Sequence, residues 1–252
     1  MRDQKLIGLV PAAGHGSRLG LPFPKELFPT ICENQYKPVI NYVVDDLILA
    51  GIDHIIFVIN ELKHQLIGHL GSGIKFDCHF SYVVQQNTGD TLSTSPGLAD
   101  ALASAYHLIR DKVVLFGMAD TIMWPKEAFK ISLTKFDDDT DIMLCLFPTQ
   151  HPENFGMVSV NSNGIADRIV DKPKSTNLKY MWGCIIWKPN FSEYLFDKVR
   201  NDFIGDFAKI LNYAIKDGFV IRTTPFPNGR FIDFGTLEQI QQSVMDFDLC
   251  SR

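Results

Sequence analysis

The chemistry-bearing residues nearest the start of the sequence are two glycines and two cations. Residues 11–19 read PAAGHGSRL, so Gly14 and Gly16 fall where a short aliphatic run ends. Glycines at such a turn let backbone N–H groups converge on an anion, because no Cβ stands in the way. Arg18 adds a forked cation and Lys25 a compact one around the same pocket. The spacing therefore predicts a binding loop for an anion such as phosphate.

Two common nucleotide-binding loops do not fit these residues. A dinucleotide-binding fold would need a third small residue where Leu19 stands, and a Walker loop would need Gly-Lys-Ser or Gly-Lys-Thr. The glycine pair alone is compatible with several nucleotide folds. Arg18 and Lys25 restrict the choice among these folds.

Strands and helices alternate through the first half of the sequence. Aliphatic and β-branched runs predict strands at residues 5–10, 55–59, 80–84 and 113–116, and apolar residues at helical spacing predict helices at residues 39–48 and 98–109. This alternation is typical of βαβ units and predicts a largely parallel sheet. Asp120 follows the last of these strands, so its carboxylate is expected at the carboxyl edge of the sheet, where ligands bind.

The second half of the sequence predicts strands joined by short turns. These strands cover residues 141–147, 156–160, 165–170 and 180–187, and helices are expected at about residues 191–200, 206–216 and 237–247. Short turns favour an antiparallel or mixed portion of the sheet. The polar segment at residues 85–96 is long enough to form a mobile lid.

Composition and charge argue against several classes of protein. The formal net charge is -5 and no run of Lys or Arg stands out, so neither nucleic acid nor an anionic membrane is a predicted partner. No apolar run approaches the roughly 20 residues that span a bilayer, and the first residues lead into a strand rather than a signal peptide. The 5 cysteines are widely spaced without a CxxC pair, which favours reduced thiols and a cytoplasmic protein.

Several motifs, taken together and in order, resemble those of the sugar-1-phosphate nucleotidylyltransferases, which make nucleotide sugars. The string AAGHGSRLGLPFPKEL at residues 12–27 is similar to the family pattern AAGxGxRL, followed by a short spacer and PK. Further matches are PGLADA at residues 96–101, FGMV at 155–158, DKP at 171–173 and FIDFGT at 231–236. They resemble the family's glycine-led helix start, its YGVV and EKP elements and its closing DxGT motif.

The resemblance implies a fold and a division of labour along the chain. The expected fold is α/β, with a Rossmann-like mixed, mostly parallel sheet flanked by helices. Residues 1–252 would form a single nucleotidyltransferase domain. Residues 1–120 would mainly bind the nucleotide, and residues 121–252 would mainly bind the sugar phosphate.

The resemblance also implies roles for individual residues. The catalytic residues would be Arg18, Lys25 and Lys172. The nucleotide-binding residues would be Ala12, Ala13, Gly14, Gly16, Ser17, Gln85 and Gly97. The sugar-binding residues would be Gly156, Asp171 and Gly183, while Asp120 and Asp233 would hold a magnesium ion.

The expected reaction joins a nucleoside triphosphate and a sugar 1-phosphate, with release of pyrophosphate. Mg²⁺ suits the two acids, since it prefers oxygen ligands and uses one or two carboxylates together with substrate phosphates. A phosphate monoester loses its second proton near about pH 6, so the acceptor can attack without a general base. Catalysis then depends on alignment and on neutralising charge.

The identities of the base and of the sugar are less constrained. The amide of Gln85 can both donate to and accept from uracil or thymine, which favours UTP or dTTP. No RGELEITD-like block occurs near residues 200–206, and Trp182 and Trp187 stand where the family often has other residues. For Trp182, packing in the core is favoured over stacking on a substrate.

Two alternatives to a sugar-1-phosphate nucleotidylyltransferase stay open. The short spacer between Arg18 and Lys25 also resembles that of cytidylyltransferases, so the donor could be CTP and the acceptor a phosphoalcohol. The chain could also be a catalytically silent nucleotide-binding module. A homo-oligomer is compatible with the sequence, but nothing in it predicts one.

Overall fold

The computed structural model of the protein describes residues 5–14, 16, 19–32, 35–85, 97–202, 205–235 and 240. The predicted site residues Ser17 and Arg18 lie outside these ranges. So do the polar segment at residues 86–96 and the predicted helix at residues 237–247, apart from Ile240.

The elements alternate first between strands and helices, and strands dominate later. The strands are β1 (Leu6–Pro11), β2 (Pro29–Cys32), β3 (Gln35–Pro38), β4 (His54–Ile59), β5 (His79–Val84), β6 (Val113–Phe116), β7 (Thr121–Trp124), β8 (Ile142–Pro148), β9 (Gly156–Val160), β10 (Ala166–Asp171), β11 (Tyr180–Trp187), β12 (Ile221–Pro225) and β13 (Arg230–Asp233). The helices are α1 (Ile40–Leu49), α2 (His64–Leu70), α3 (Leu98–Ser104), α4 (Tyr106–Ile109), α5 (Ala128–Thr134), α6 (Pro189–Arg200) and α7 (Phe207–Lys216). Short 3-10 turns cover Lys25–Leu27, Ile74–Phe76 and Pro152–Asn154.

Within the described ranges, nine strands form one mixed sheet. Seven of them follow the order β10-β9-β11-β6-β1-β4-β5, and β8 pairs with both β11 and β12. Strands β6, β1, β4 and β5 run parallel to one another, whereas β11 is antiparallel to β6, β8 and β9. The predicted mixed, mostly parallel α/β fold is therefore confirmed, with its antiparallel part in the second half of the chain.

Helices cover both faces of this sheet, so its strands are apolar on both sides. Along β4, Ile55 and Phe57 belong to one core cluster with residues of α1, α2 and α5, while Ile56 and Val58 belong to another with residues of α3, α6 and α7. Successive side chains of a strand point to opposite faces, which explains why these strands are continuous apolar runs.

Two small sheets lie apart from the main one. Strands β2 and β3 form an antiparallel hairpin, and β7 pairs antiparallel with β13. The second pairing matters for the site, because it joins segments that are far apart in the sequence.

The predicted helix at residues 98–109 is instead two helices, α3 and α4, which meet at Ala105. No glycine or proline lies between Leu98 and Ile109, so the hydrophobic pattern gave no sign of the break. The remaining predicted strands and helices in the described ranges are present with shifts of one or two residues at their ends.

The cysteines differ in part from the expectation of reduced thiols. Cys78, Cys145 and Cys184 are free and buried, but Cys32 is disulfide-bonded. In the described part of the chain, no helix has both the length and the apolar character needed to cross a membrane.

Candidate active site

Two adjoining cavities lie at the carboxyl end of the parallel strands. The larger has a volume of about 620 Å³ and the smaller about 190 Å³. Their walls share Lys25, Gly97, Leu98, Met118 and Asp120. The sequence predicts Asp120 at the carboxyl edge of the sheet. The cavities formed by the described residues lie at that edge.

Every predicted site residue that the structure describes lines one of these cavities. Ala12, Ala13, Gly14 and Gln85 line the smaller cavity; Gly16, Gly156, Asp171, Lys172, Gly183 and Asp233 line the larger; and Lys25, Gly97 and Asp120 line both. The structure therefore brings the residues predicted for nucleotide, sugar phosphate and metal to one place. Their individual roles stay predictions.

The glycine-containing loop leaves the sheet at the end of β1. The N–H of Ala12 still donates to the carbonyl of Val58 at 2.7 Å, which extends the pairing of β1 with β4 by one residue. Beyond it, Gly16 has a φ of 64°, a left-handed conformation that favours glycine. Gly14 is exposed at the mouth of the smaller cavity, so its backbone is open to a ligand.

Lys25 reaches across the cavity to Asp120. It begins the 3-10 turn Lys25–Leu27, and its Nζ lies against the Oδ2 atom of Asp120 in a salt bridge. Burial lowers the pKa of Lys25, but the attraction of Asp120, together with Glu26 and Asp233, outweighs it and leaves the pKa raised. Lys25 is therefore a cation at neutral pH, held at the centre of the site.

Asp233 joins Asp120 through the pairing of β7 with β13. Asp233 lies opposite Thr121 in that ladder, and the N–H of Phe234 donates to the carbonyl of Asp120 at 2.9 Å. Burial raises the pKa of Asp233 to about 7, and the negative charge of Asp120 adds to the rise. Two carboxylates that repel each other in a partly buried site are a favourable place for a cation.

The donor set fits a magnesium ion with few protein ligands. Among the described residues, no group of three His, Cys, Asp or Glu side chains is arranged to hold a metal. Two carboxylates are what Mg²⁺ commonly uses when substrate phosphates supply further oxygens. Lys25 already places one positive charge against Asp120, which shows that the site is electrostatically suited to cations.

Asp171 and Lys172 enter the larger cavity from the end of β10. Asp171 pairs with Gly156 of β9, and the N–H of Lys172 donates to the carbonyl of Phe155 at 3.0 Å. Lys172 has a φ of 44°, which costs a residue with a side chain on the order of 1 kcal/mol. Strain of this kind clusters at functional sites, so the conformation agrees with the predicted role of Lys172.

Gly183 is required by packing, whatever it does toward a sugar. A Cβ there would lie 2.6 Å from Phe147 and 2.8 Å from Phe231. Both distances are far below van der Waals contact, so no larger residue fits. Its predicted contact with a hexose is compatible with this position but is not needed to explain the glycine.

Trp182 packs against the core, as expected, with ring contacts to Phe116 and Phe207, and it also forms part of the cavity wall. The side chain is half-buried, and its Nε1 lies 2.3 Å from where a Cβ on Gly156 would be. This buried Nε1 has no hydrogen-bond partner among the described residues. A buried indole N–H without a hydrogen-bond partner is rare. Its place beside a cavity therefore calls for a functional explanation.

Sequence reasoning missed several residues of the wall. Met118, Asn154, Phe155, Gly205, Asp206, Phe207 and Phe231 also line the larger cavity. Asp206 had a sequence signal, because it precedes an amphipathic helix and accepts a hydrogen bond from the N–H of Lys209 as its cap. Phe155 and Phe231 stand in the FGMV and FIDFGT motifs, but nothing in the sequence marked them or Phe207 as cavity residues rather than core.

The chain belongs to the nucleotidyl transferase family, whose model matches residues 7–247. The low-salt glycan biosynthesis nucleotidyltransferase Agl11 of Haloferax volcanii is 29% identical over 201 residues, which cover 77% of this chain and 51% of that protein. A glucose-1-phosphate thymidylyltransferase of Mycolicibacterium smegmatis is 28% identical over 178 residues, covering 69% of this chain and 57% of that protein. The family predicted from the sequence motifs is confirmed.

The fold also matches that of a solved UDP-glucose pyrophosphorylase in complex with UDP-glucose. The two share a TM-score of 0.77 at 21% identity, over 96% of this chain and 98% of that one. The chain spans only about half the length of the two curated relatives described above.

Proposed function

We propose that the protein transfers a nucleoside monophosphate from UTP or dTTP to a sugar 1-phosphate and releases pyrophosphate. The observation that carries the proposal is the meeting of Lys25, Asp120, Asp233 and Lys172 around one cavity of about 620 Å³. Two cations and two carboxylates from four distant segments are what a transfer between two phosphorylated substrates requires.

The smaller cavity is the proposed site for the base and the triphosphate. Ala12, Ala13 and Gly14 form one wall, and Gln85 forms another. Backbone N–H groups of the loop would donate to phosphate oxygens, and the Gln85 amide would pair with a pyrimidine. Among the similar proteins, a thymidylyltransferase supports a pyrimidine donor, and a glucose-1-phosphate adenylyltransferase of Mycoplasma mobile makes ATP the donor to test against it.

The far side of the larger cavity is the proposed site for the acceptor. Lys172 would hold the attacking phosphate, and Asp171 would accept hydrogen bonds from sugar hydroxyls. Asn154 and Asp206 line the same cavity and offer further polar contacts. The acceptor phosphate would then lie in the cavity that Gly16 and Lys25 also line.

The chain's own residues align the substrates and neutralise charge. Lys25 would leave Asp120 and bind the phosphates of the donor, where its ammonium group stabilises negative charge that develops on the departing pyrophosphate. Mg²⁺ held by Asp120 and Asp233 would act as a Lewis acid toward the phosphates. No side-chain nucleophile is needed, because the acceptor phosphate is itself an anion.

A matrix of nucleoside triphosphates against acceptor phosphates tests the proposal. Pyrophosphate release is measured with UTP, dTTP, CTP, ATP and GTP, each with glucose 1-phosphate, other sugar 1-phosphates or phosphocholine, with and without Mg²⁺. We expect release only with Mg²⁺, a pyrimidine triphosphate and a sugar 1-phosphate together. Asp120→Asn and Asp233→Asn should each lower the rate about 100-fold or more.

The controls separate the proposal from its alternatives. Asp197→Asn, on the exposed face of α6, should keep the wild-type rate. Turnover with CTP and phosphocholine alone would replace the proposed substrates, and nucleotide binding without turnover would indicate a silent module. Wild-type rates in both Asp variants would refute the metal assignment.

A further inference from the structure

A buried ion pair lies at the wall of the smaller cavity, which Glu26 lines. The Nζ atom of Lys63 is 2.7 Å and 2.6 Å from the two carboxylate oxygens of Glu26. Glu26 is 1% exposed and Lys63 is 4% exposed, so both charges are removed from water. Glu26 follows Lys25 in the 3-10 turn Lys25–Leu27, and Lys63 directly precedes helix α2.

A second contact from the same stretch of chain holds the other end of the loop. Asn60, which is buried, donates from Nδ2 to the carbonyl of Ala13 at 2.7 Å. Its Oδ1 accepts from the N–H of Leu62 at 2.9 Å, so the amide is fixed from both sides. The N–H of Lys63 donates to the carbonyl of Asn60 at 3.1 Å, which closes residues 60–63 into a turn, hereafter the clamp turn.

The clamp turn therefore contacts both ends of the glycine-containing loop. One contact is at the start of the loop, and the other is in the 3-10 turn at its end. Asn60 holds Ala13, the residue before Gly14, and Lys63 holds Glu26, the residue after Lys25. The clamp turn itself directly follows β4, a strand buried along most of its length. A rigid strand thus fixes both ends of a loop whose middle must accommodate a triphosphate.

Stability alone does not account for an ion pair in this position. Removing two charges from water costs several kcal/mol per ion, and a well-packed apolar pair of similar volume is often as stable or more stable. Burial raises the pKa of Glu26 despite the opposing attraction of Lys63, which shows that desolvation outweighs the attraction there. The ion pair does determine geometry, because its hydrogen bonds fix the carboxylate of Glu26 in one orientation.

We propose that Asn60 and Lys63 are positioning residues for nucleotidyl transfer. They act through the Ala13 carbonyl and the Glu26 carboxylate, and they hold the loop and Lys25 in the geometry that binds the triphosphate. The inference rests on the proposed function for the ligand, but the position of Lys25 is a property of the protein alone. The two can therefore be tested separately.

A double variant separates positioning from stability. Glu26→Leu combined with Lys63→Met replaces the ion pair by apolar side chains, so the fold should be kept and the thermal unfolding temperature should be unchanged or higher. The Kd for UTP, measured by calorimetry with Mg²⁺, should rise about tenfold. The Kd for UMP should change by less than about twofold, because UMP lacks the phosphates that Lys25 would bind.

The position of Lys25 is read without any nucleotide. The rate at which an amine-acylating reagent modifies Lys25, followed by mass spectrometry, is slow in the wild type because the side chain is 21% exposed and held at Asp120. In the double variant, that rate should increase by about fivefold or more, because the Glu26 carboxylate no longer fixes the turn that carries Lys25. Lys198→Met with Asp202→Leu, which removes an ion pair between α6 and the segment that follows it, is the matched control and should alter neither readout.

Each outcome bears on one of the two hypotheses. Unchanged Lys25 reactivity in the folded double variant overturns the positioning role, and so does an equal loss of affinity for UTP and UMP. Faster Lys25 modification in a protein whose wild type binds no nucleotide supports the positioning role and removes the proposed function. Should the double variant fail to fold, Asn60→Ser provides the same two readouts at the other contact, and wild-type values there overturn the proposal.

Discussion

The ammonium group of Lys25 contacts the carboxylate of Asp120, although the two residues are 95 positions apart in the sequence. Asp120 is also a predicted ligand for Mg²⁺, so Lys25 and a bound metal would compete for the same carboxylate. The ammonium group of Lys25 offsets part of the repulsion between Asp120 and Asp233. The triphosphate of a donor would draw Lys25 away and leave the acids to the metal.

Removing the ammonium group should therefore tighten metal binding in the absence of nucleotide. We expect Lys25→Met to bind Mn²⁺ about tenfold more tightly than the wild type, as measured by electron paramagnetic resonance of the unbound ion. The same variant should turn over about 100-fold more slowly, because the triphosphate loses a cation. Lys130→Met, at an exposed position of α5, should change neither quantity. Weaker Mn²⁺ binding by Lys25→Met would contradict the exchange of cations.

Metal binding should also depend on pH through Asp233. Burial and the charge of Asp120 raise the pKa of this carboxyl to about 7. A proton and a metal compete for the same oxygens, so the affinity for Mn²⁺ should increase with pH by up to about tenfold per unit below pH 7 and level off above it. Calorimetric titrations between about pH 5.5 and about pH 8.5 would show this bend. An affinity that does not change over that range would mean that Asp233 is not a ligand.

The sequence predicted the parts of the fold that have strong local signals. Strands such as β4 and β6 are buried on both faces, so their aliphatic runs are unambiguous. Helix α2 was missed because its buried apolar residues are only Leu66 and Leu70, too few to show a period. Strand β7 was missed because four residues form a strand there only by pairing with β13.

In the candidate site, too, residues with a local sequence signal were predictable and residues brought together only by folding were not. Gly14, Gly16 and Lys25 could be found from a local motif, and Asp120 from its place after a strand. The contact of Lys63 with Glu26 could not, because a lysine before a helix is usually a solvated residue, and only the folded chain brings it to the loop. The cavity wall formed by Phe155, Phe207 and Phe231 was likewise invisible, as apolar spacing does not distinguish a cavity from a core.

The two tryptophans of β11 should respond differently to replacement by phenylalanine. Trp187 is fully buried and donates from Nε1 to Ser192 Oγ at 2.9 Å, so Trp187→Phe should lower the free energy of unfolding by about 2 kcal/mol. The Nε1 of Trp182 has no hydrogen-bond partner in the described part of the chain, so removing this buried N–H should keep the loss in Trp182→Phe below about 1 kcal/mol. Urea denaturation measures both changes.

The two variants should rank in the opposite order for their effects on activity. Because Trp182 lines the cavity, Trp182→Phe should raise the KM for the acceptor several-fold and leave the Kd for the nucleotide unchanged. Trp187→Phe should alter neither once the protein is folded. If Trp182→Phe is the more destabilising variant and acceptor KM is unaffected, its role is packing alone.

Asp46 should make the protein less stable as the pH rises. This residue of α1 is buried, and burial, with the charge of Asp45 adding to it, raises its pKa from 3.8 to about 8. Since the folded state keeps the proton to higher pH than the unfolded state, stability is unaffected below about pH 4, falls between about pH 4 and about pH 8, and is level above that. Asp46→Asn removes the cost of ionising this buried carboxyl group. The gain in the free energy of unfolding should therefore be larger at pH 8 than at pH 5, by up to about 4 kcal/mol. Asp45→Asn, at the half-exposed neighbour paired with Lys37, removes only the contribution of the adjacent charge and should show a smaller gain of the same sign. Parallel pH profiles for Asp46→Asn and the wild type would contradict the assignment.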